Sequence, residues 1–72
     1  MRVLLVEDEK HLREQITQQL KQQNLTIDAV ADGEEGLFMG AEYPYDVAII
    51  DLGLPKLSGI ELIQSLRKQG FD

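Results

Sequence analysis

"DVAIIDLGLP", residues 46–55, carries four apolar side chains in a row, Val47-Ala48-Ile49-Ile50, meets an acid at Asp51, and then breaks on Gly53 and Pro55. A short continuous apolar run bounded by turn residues reads as a strand of a parallel sheet. A strand that ends on a carboxylate needs something to answer the charge. The same pattern occurs earlier in the chain, where Val3-Leu4-Leu5-Val6 runs into Glu7-Asp8-Glu9.

Between and after these two runs the periodicity changes. Leu12, Ile16 and Leu20 recur every four residues among Lys, Arg, Glu and Gln, a helical stripe that Asn24 can stop. Leu25 to Val30 reads as a weaker strand, with Leu25, Ile27 and Ala29 on alternate positions. Asp32-Gly33-Glu34-Glu35 offers an acid at a helix cap with Glu three residues on, opening a helix over about Gly33 to Glu42 that Pro44 ends. Gly36 and Gly40 inside it each cost roughly 1 kcal/mol against Ala. Ser58-Gly59-Ile60-Glu61 has the capping-box form, Leu62, Ile63 and Leu66 supply a buried stripe, and Arg67, Lys68 and Gly70 suit a helix end. The order is β-α-β-α-β-α. Helices between strands imply an α/β fold with parallel pairing.

Composition narrows the function classes. The chain has 72 residues, 43% hydrophobic and 28% charged, a globular balance. A chain this short buries only about 60% of its unfolded surface, so its stability should be marginal. It has no cysteine, which excludes disulfides and thiolate metal sites. A formal net charge of −6 repels nucleic acid phosphates and favours cations or basic partner surfaces. The apolar runs are far too short to span a membrane, and the four apolar residues after Arg2 do not make a signal peptide core. The expected location is the cytoplasm, with no membrane partner.

In open parallel sheets, ligands bind beyond the carboxyl ends of the strands, where strand order reverses. Glu7, Asp8 and Asp51 all follow strands at that end. If the first and third strands are neighbours, their carboxylates converge, and like charges held so close need a cation or a raised pKa. A few carboxylates with water completing the shell suit Mg²⁺. Acids before a helix often serve only as caps. Two acid clusters at the same end of two parallel strands favour a metal site over that reading.

"VLLVEDE", "DVAIIDLGLP" and "SGIELI", in this order and spacing, resemble the receiver domains of two-component response regulators, and the "DLGLP" form is most similar to the OmpR/PhoP-type transcription regulators. The resemblance covers the whole chain. It implies a flavodoxin-like (CheY-like) doubly wound parallel sheet, here cut to β-α-β-α-β-α. It also implies that Asp51 is the phosphoacceptor attacking a phosphohistidine of a sensor histidine kinase. Asp8 would be the main Mg²⁺ ligand, Glu7 its acidic neighbour as ligand or just behind it, and Gly53 a ligand through its backbone carbonyl. Pro55 and Gly59 would shape the loop. On this reading the protein is not an enzyme, because its chemistry is confined to its own phosphorylation.

The family pattern continues further, with a Ser or Thr after a fourth strand, a Lys after a fifth, a switch aromatic and a dimerisation face. None of these has a counterpart in this sequence. Thr17, Thr26, Ser58, Ser65, Lys56 and Lys68 do not stand in equivalent places. The resemblance therefore implies that residues 1–72 are the N-terminal three-fifths of a receiver, with DNA binding belonging to an effector domain outside them. The third strand should then be an apolar edge open to self-association. An alternative function follows from this, an interaction unit that assembles without phosphorylation. A haloacid dehalogenase-type phosphatase would want a second acid where Gly53 stands, and a flavin-binding loop would not carry Glu7-Asp8-Glu9. His11 and the Gln-rich stretch read as solvated, Phe38 and Met39 as core or half-buried packing, and Tyr43 and Tyr45 as rings covering the far end of the sheet.

Overall fold

β1 (Arg2–Val6) is the middle strand of a three-stranded sheet ordered β2-β1-β3, and both of its neighbours run parallel to it. The computed structural model describes residues 1–54 and 57–70. Along the chain the elements are β1, α1 (Lys10–Lys21), β2 (Thr26–Val30), α2 (Gly33–Glu42), β3 (Val47–Ile50) and α3 (Gly59–Lys68). Val3 lies opposite Ile27 and Val47, and Val6 opposite Val30 and Ile50. The expected α/β order is therefore observed, and β1 is the strand buried on both faces.

Leu4 and Val6 face the principal core, together with Leu54, Leu62 and Leu66. Val30, Leu37, Met39, Tyr45, Ala48, Ile50 and Leu57 pack around them. Val3 and Leu5 point the other way by strand alternation and are also buried, on the side that α1 covers. Each fully buried Leu or Val stabilises the fold by about 1.5–3 kcal/mol. The principal core thus rests on α2 and α3.

The glycines that weaken α2 as an isolated helix explain how it packs. A Cβ at Gly36 would lie 2.8 Å from Val6 Cγ2, and one at Gly40 would press into the Leu66 side chain. The helix turns its glycine face inward, so the backbone of α2 comes close to β1 and α3. Phe38 falls on the opposite face and is 61% exposed, which corrects the expectation that it packs in or near the core. Met39 does pack there. Ser58 caps α3 as its sequence pattern suggests, its Oγ accepting from the Glu61 N–H at 3.2 Å. Asp32 caps α2 by accepting from the Glu35 N–H, while the Glu35 carboxylate accepts from the Ala31 N–H.

One boundary differs from the sequence reading. Leu25 precedes β2, its N–H turned back to the Leu20 carbonyl, after Asn24 has taken the left-handed conformation that ends the helix exit. No residue of α1 is fully buried, and Leu12 is 42% exposed. Val47 and Ile49 are each 38% exposed, because β3 has a strand on one side only and α1 lies over β1 and β2. An open groove of about 440 Å³ runs between β3 and α3, floored by Ala48, Ile50, Ile63 and Leu66. The expected apolar edge at β3 is therefore present. Pro55 and Lys56, about which the sequence also raised expectations, lie outside the described residues.

Candidate metal centre

Glu7 extends β1 by one residue, its N–H donating to the Val30 carbonyl at 3.1 Å. Asp51 extends β3 in the same way, its N–H donating to the Val6 carbonyl at 3.0 Å. Adjacent parallel strands thus set two acids side by side just beyond the Val6–Ile50 pair. Asp8 follows in the turn to α1. One carboxylate oxygen from each of Glu7, Asp8 and Asp51 lies within 4.8 Å of the others. The convergence read from the sequence is present in the fold.

Of the four acids in the two clusters, one is used elsewhere. Glu9 turns away to cap α1, accepting from the N–H groups of His11 at 3.1 Å and Leu12 at 2.6 Å. Those donors hold its carboxyl below the usual range. Gly53 enters the centre through its amide, which donates to Asp51 Oδ1 at 3.0 Å and fixes that side chain. Gly59, assigned to the loop from the sequence, is the first residue of α3. A Cβ there would collide with the Asp51 carbonyl oxygen and lie 2.6 Å from Leu52 Cα. The start of α3 is therefore pressed against the backbone that carries Asp51. His11 is exposed, as expected.

Glu7 is the most buried of these acids, at 8% exposure. The Glu9 N–H bonded to Glu7 Oε2 favours its charged form, but burial and the neighbouring Asp51 and Asp8 carboxyls outweigh that and raise its pKa. Among the described residues, the one salt bridge, Arg2–Asp28, lies elsewhere, so no side-chain cation is ion-paired with these carboxylates. Three carboxylate oxygens within 4.8 Å of one another, none of them ion-paired, fit a hard divalent ion such as Mg²⁺.

Two features escaped the sequence reading. Arg13 reaches back from α1 to the turn carrying Glu7 and Asp8. Its only sequence signal is a cation one turn into the helix. At the opposite end of the sheet, the Arg2 guanidinium and the Tyr45 hydroxyl both donate to Asp28 Oδ2, at 2.9 and 2.7 Å. Arg2 also sits over the rings of Tyr43 and Tyr45, 5.2 and 5.3 Å from their centroids. The tyrosines do cover that end, as expected, but through a charged network joining residues far apart in sequence.

Comparisons with known proteins give a consistent picture. The family described as "Response regulator receiver domain" matches residues 3–72. The two-component response regulator PhoP of Pseudomonas aeruginosa is 50% identical over 70 residues, 97% of this chain and 31% of PhoP. Thus the chain spans about a third of that relative. The solved structure of the response regulator TrrA of Thermotoga maritima in complex with Mg²⁺ and BeF superposes with a TM-score of 0.92 at 35% identity, covering 96% of this chain and 60% of that one. A second structure, of TrrA in complex with the histidine kinase ThkA, gives 0.91 at 35% identity, covering 99% and 61%.

Proposed function

This chain belongs to the response regulator receiver domain family, and from that premise we propose that Asp51 accepts a phosphoryl group from the phosphohistidine of a sensor histidine kinase. The observation that carries the proposal is the convergence of Glu7, Asp8 and Asp51 within 4.8 Å at the carboxyl ends of neighbouring strands. An oxygen of Asp51 attacks phosphorus, the P–N bond breaks, and its electron pair leaves with the imidazole, which is then protonated. The Gly53 amide engages Oδ1 and so holds the rotamer that presents the second oxygen.

Glu7, Asp8 and Asp51, with the Gly53 carbonyl, would hold Mg²⁺. When bound, that ion supplies the positive charge that offsets repulsion between an attacking carboxylate and a phosphoryl group. The TrrA complexes support both the ion and the kinase as partners by similarity. We place the module in the cytoplasm; no helix among the described residues is long and apolar enough to cross a membrane. Residues 1–72 are read as the N-terminal three-fifths of a receiver in a transcription regulator of the OmpR/PhoP type, whose DNA contacts belong to a domain outside them.

A second reading rests on β3. Its unpaired edge and the partial exposure of Val47 and Ile49 suit self-association of this chain as an assembly unit without phosphorylation. Mg²⁺ titration followed by beryllofluoride separates the two. Uptake of Mg²⁺ and then of the fluoride mimic, both lost in Asp51→Asn, supports phosphoacceptance by these residues. Mg²⁺ binding without the mimic favours the assembly reading for this chain taken alone. Unchanged Mg²⁺ affinity in Asp51→Asn refutes the placement of the ion.

A further inference from the structure

The Arg13 guanidinium stands behind the acidic centre. Its Nη1 donates to the Glu7 carbonyl at 2.9 Å and makes a longer contact of 3.4 Å with the Asp8 carbonyl. Those are the main-chain oxygens of two of the three converging acids. The helix that carries Arg13 is otherwise loosely held, with no fully buried residue and with Leu12 42% exposed. Its firm attachments at this end are the Glu9 cap and the Arg13 contacts. One side chain thus ties the backbone of both acids to α1.

We propose that Arg13 is a positioning residue for the acidic centre, clamping the Glu7–Asp8 backbone so that both carboxylates stay directed at Asp51. The inference rests on the Mg²⁺ reading given above. Two effects of Arg13 oppose each other. As a nearby positive charge, screened by water and salt, it weakens divalent-cation binding by only about two- to threefold. As a clamp on residues that hold the ligands, it strengthens binding; removing comparable outer contacts costs roughly 10–100-fold in metal affinity. The clamp should prevail, and lysine should not replace it. A lysine keeps the charge, but its flexible stem ends one bond short of the Nη1 that meets both carbonyls.

The test uses the 72-residue chain as wild type, Arg13→Lys and Arg13→Met. Mg²⁺ is titrated by NMR, and amide hydrogen exchange is measured without metal. Both variants should bind Mg²⁺ about tenfold more weakly, with β1–β3 amide signals retained and faster exchange in the Glu7–Lys10 turn. Wild-type affinity in Arg13→Lys, or tighter binding in Arg13→Met, overturns the clamp and leaves Arg13 as a charge only. Unaltered exchange in the turn also overturns it. If the wild-type chain takes up no Mg²⁺ at these acids, both the site reading and this inference fall. If uptake is Asp51-dependent and Arg13→Lys matches wild type, only the inference falls.

Discussion

Substituting Gly59 by alanine should cost this protein more than either of two other glycine-to-alanine changes, because of what the new methyl would meet. At Gly59 it meets backbone, the Asp51 carbonyl oxygen and Leu52 Cα, which no rotamer change can move. Overpacking of this kind costs about 1–3 kcal/mol, and rigid neighbours place it at the upper end. The better helix propensity of alanine returns at most about 1 kcal/mol, leaving a net loss of roughly 2 kcal/mol. For a chain of this size that lowers the melting temperature by about 8–16 °C. At Gly53 the methyl would come only to 3.7 Å from Asp51 Oδ1, an ordinary contact, and the backbone there is not left-handed. Gly53→Ala should stay within about 0.5 kcal/mol of wild type. At Gly40 the obstacle is the end of the flexible Leu66 side chain, so the propensity gain and the repacking cost should nearly cancel. The assay is thermal unfolding followed by circular dichroism at one fixed protein concentration, with Mg²⁺ titration of each variant. Gly59→Ala should also weaken Mg²⁺ binding, since the loop it displaces carries Asp51. Equal losses at positions 53 and 59, or no loss at 59, would refute the claim that α3 is seated on the Asp51–Leu52 backbone.

Without metal, Asp51→Asn should stabilise the fold by on the order of 1 kcal/mol, by relieving repulsion among Glu7, Asp8 and Asp51. Urea unfolding with and without Mg²⁺ checks this, and the ion should stabilise wild type but not the variant. Tyr45→Phe removes the hydroxyl that donates to Asp28 Oδ2 and should cost about 1–2 kcal/mol near neutral pH. The sign at each pH limb follows from the two partners. The Tyr45 hydroxyl, with the Arg2 guanidinium, holds the Asp28 pKa down, so that contribution is lost as pH falls through the lowered value. Burial, together with the bond to Asp28, pushes the Tyr45 pKa up to about 12, so its contribution is full below about 10 and is lost as pH rises through about 12. Melts across pH should show both limbs flattened in the variant. Light scattering should show concentration-dependent association of the wild-type chain, reduced by Ile49→Lys, which puts a charge on the open β3 strand. A monodisperse wild-type monomer at high concentration would refute association through that edge.

Local patterns in the sequence determined a good deal. The apolar runs at residues 3–6 and 47–50 set two strands, and the spacing of Leu62 and Leu66 set the inner face of α3. The caps at Asp32 and Ser58 set two helix starts, because capping depends on residues three apart and nothing distant. Placing Glu7, Asp8 and Asp51 at one end of a parallel sheet needed only the alternation of strands and helices. Tertiary packing decided the rest. Glu9 left the cluster because the first free amides of α1 claimed its carboxylate. Phe38 faced solvent because the glycine face of α2 had to meet β1 and α3. Arg2, Asp28 and Tyr45 joined across strands, and Arg13 reached back to the turn before it. Such contacts depend on register and on side-chain reach in three dimensions, and a one-dimensional pattern carries neither.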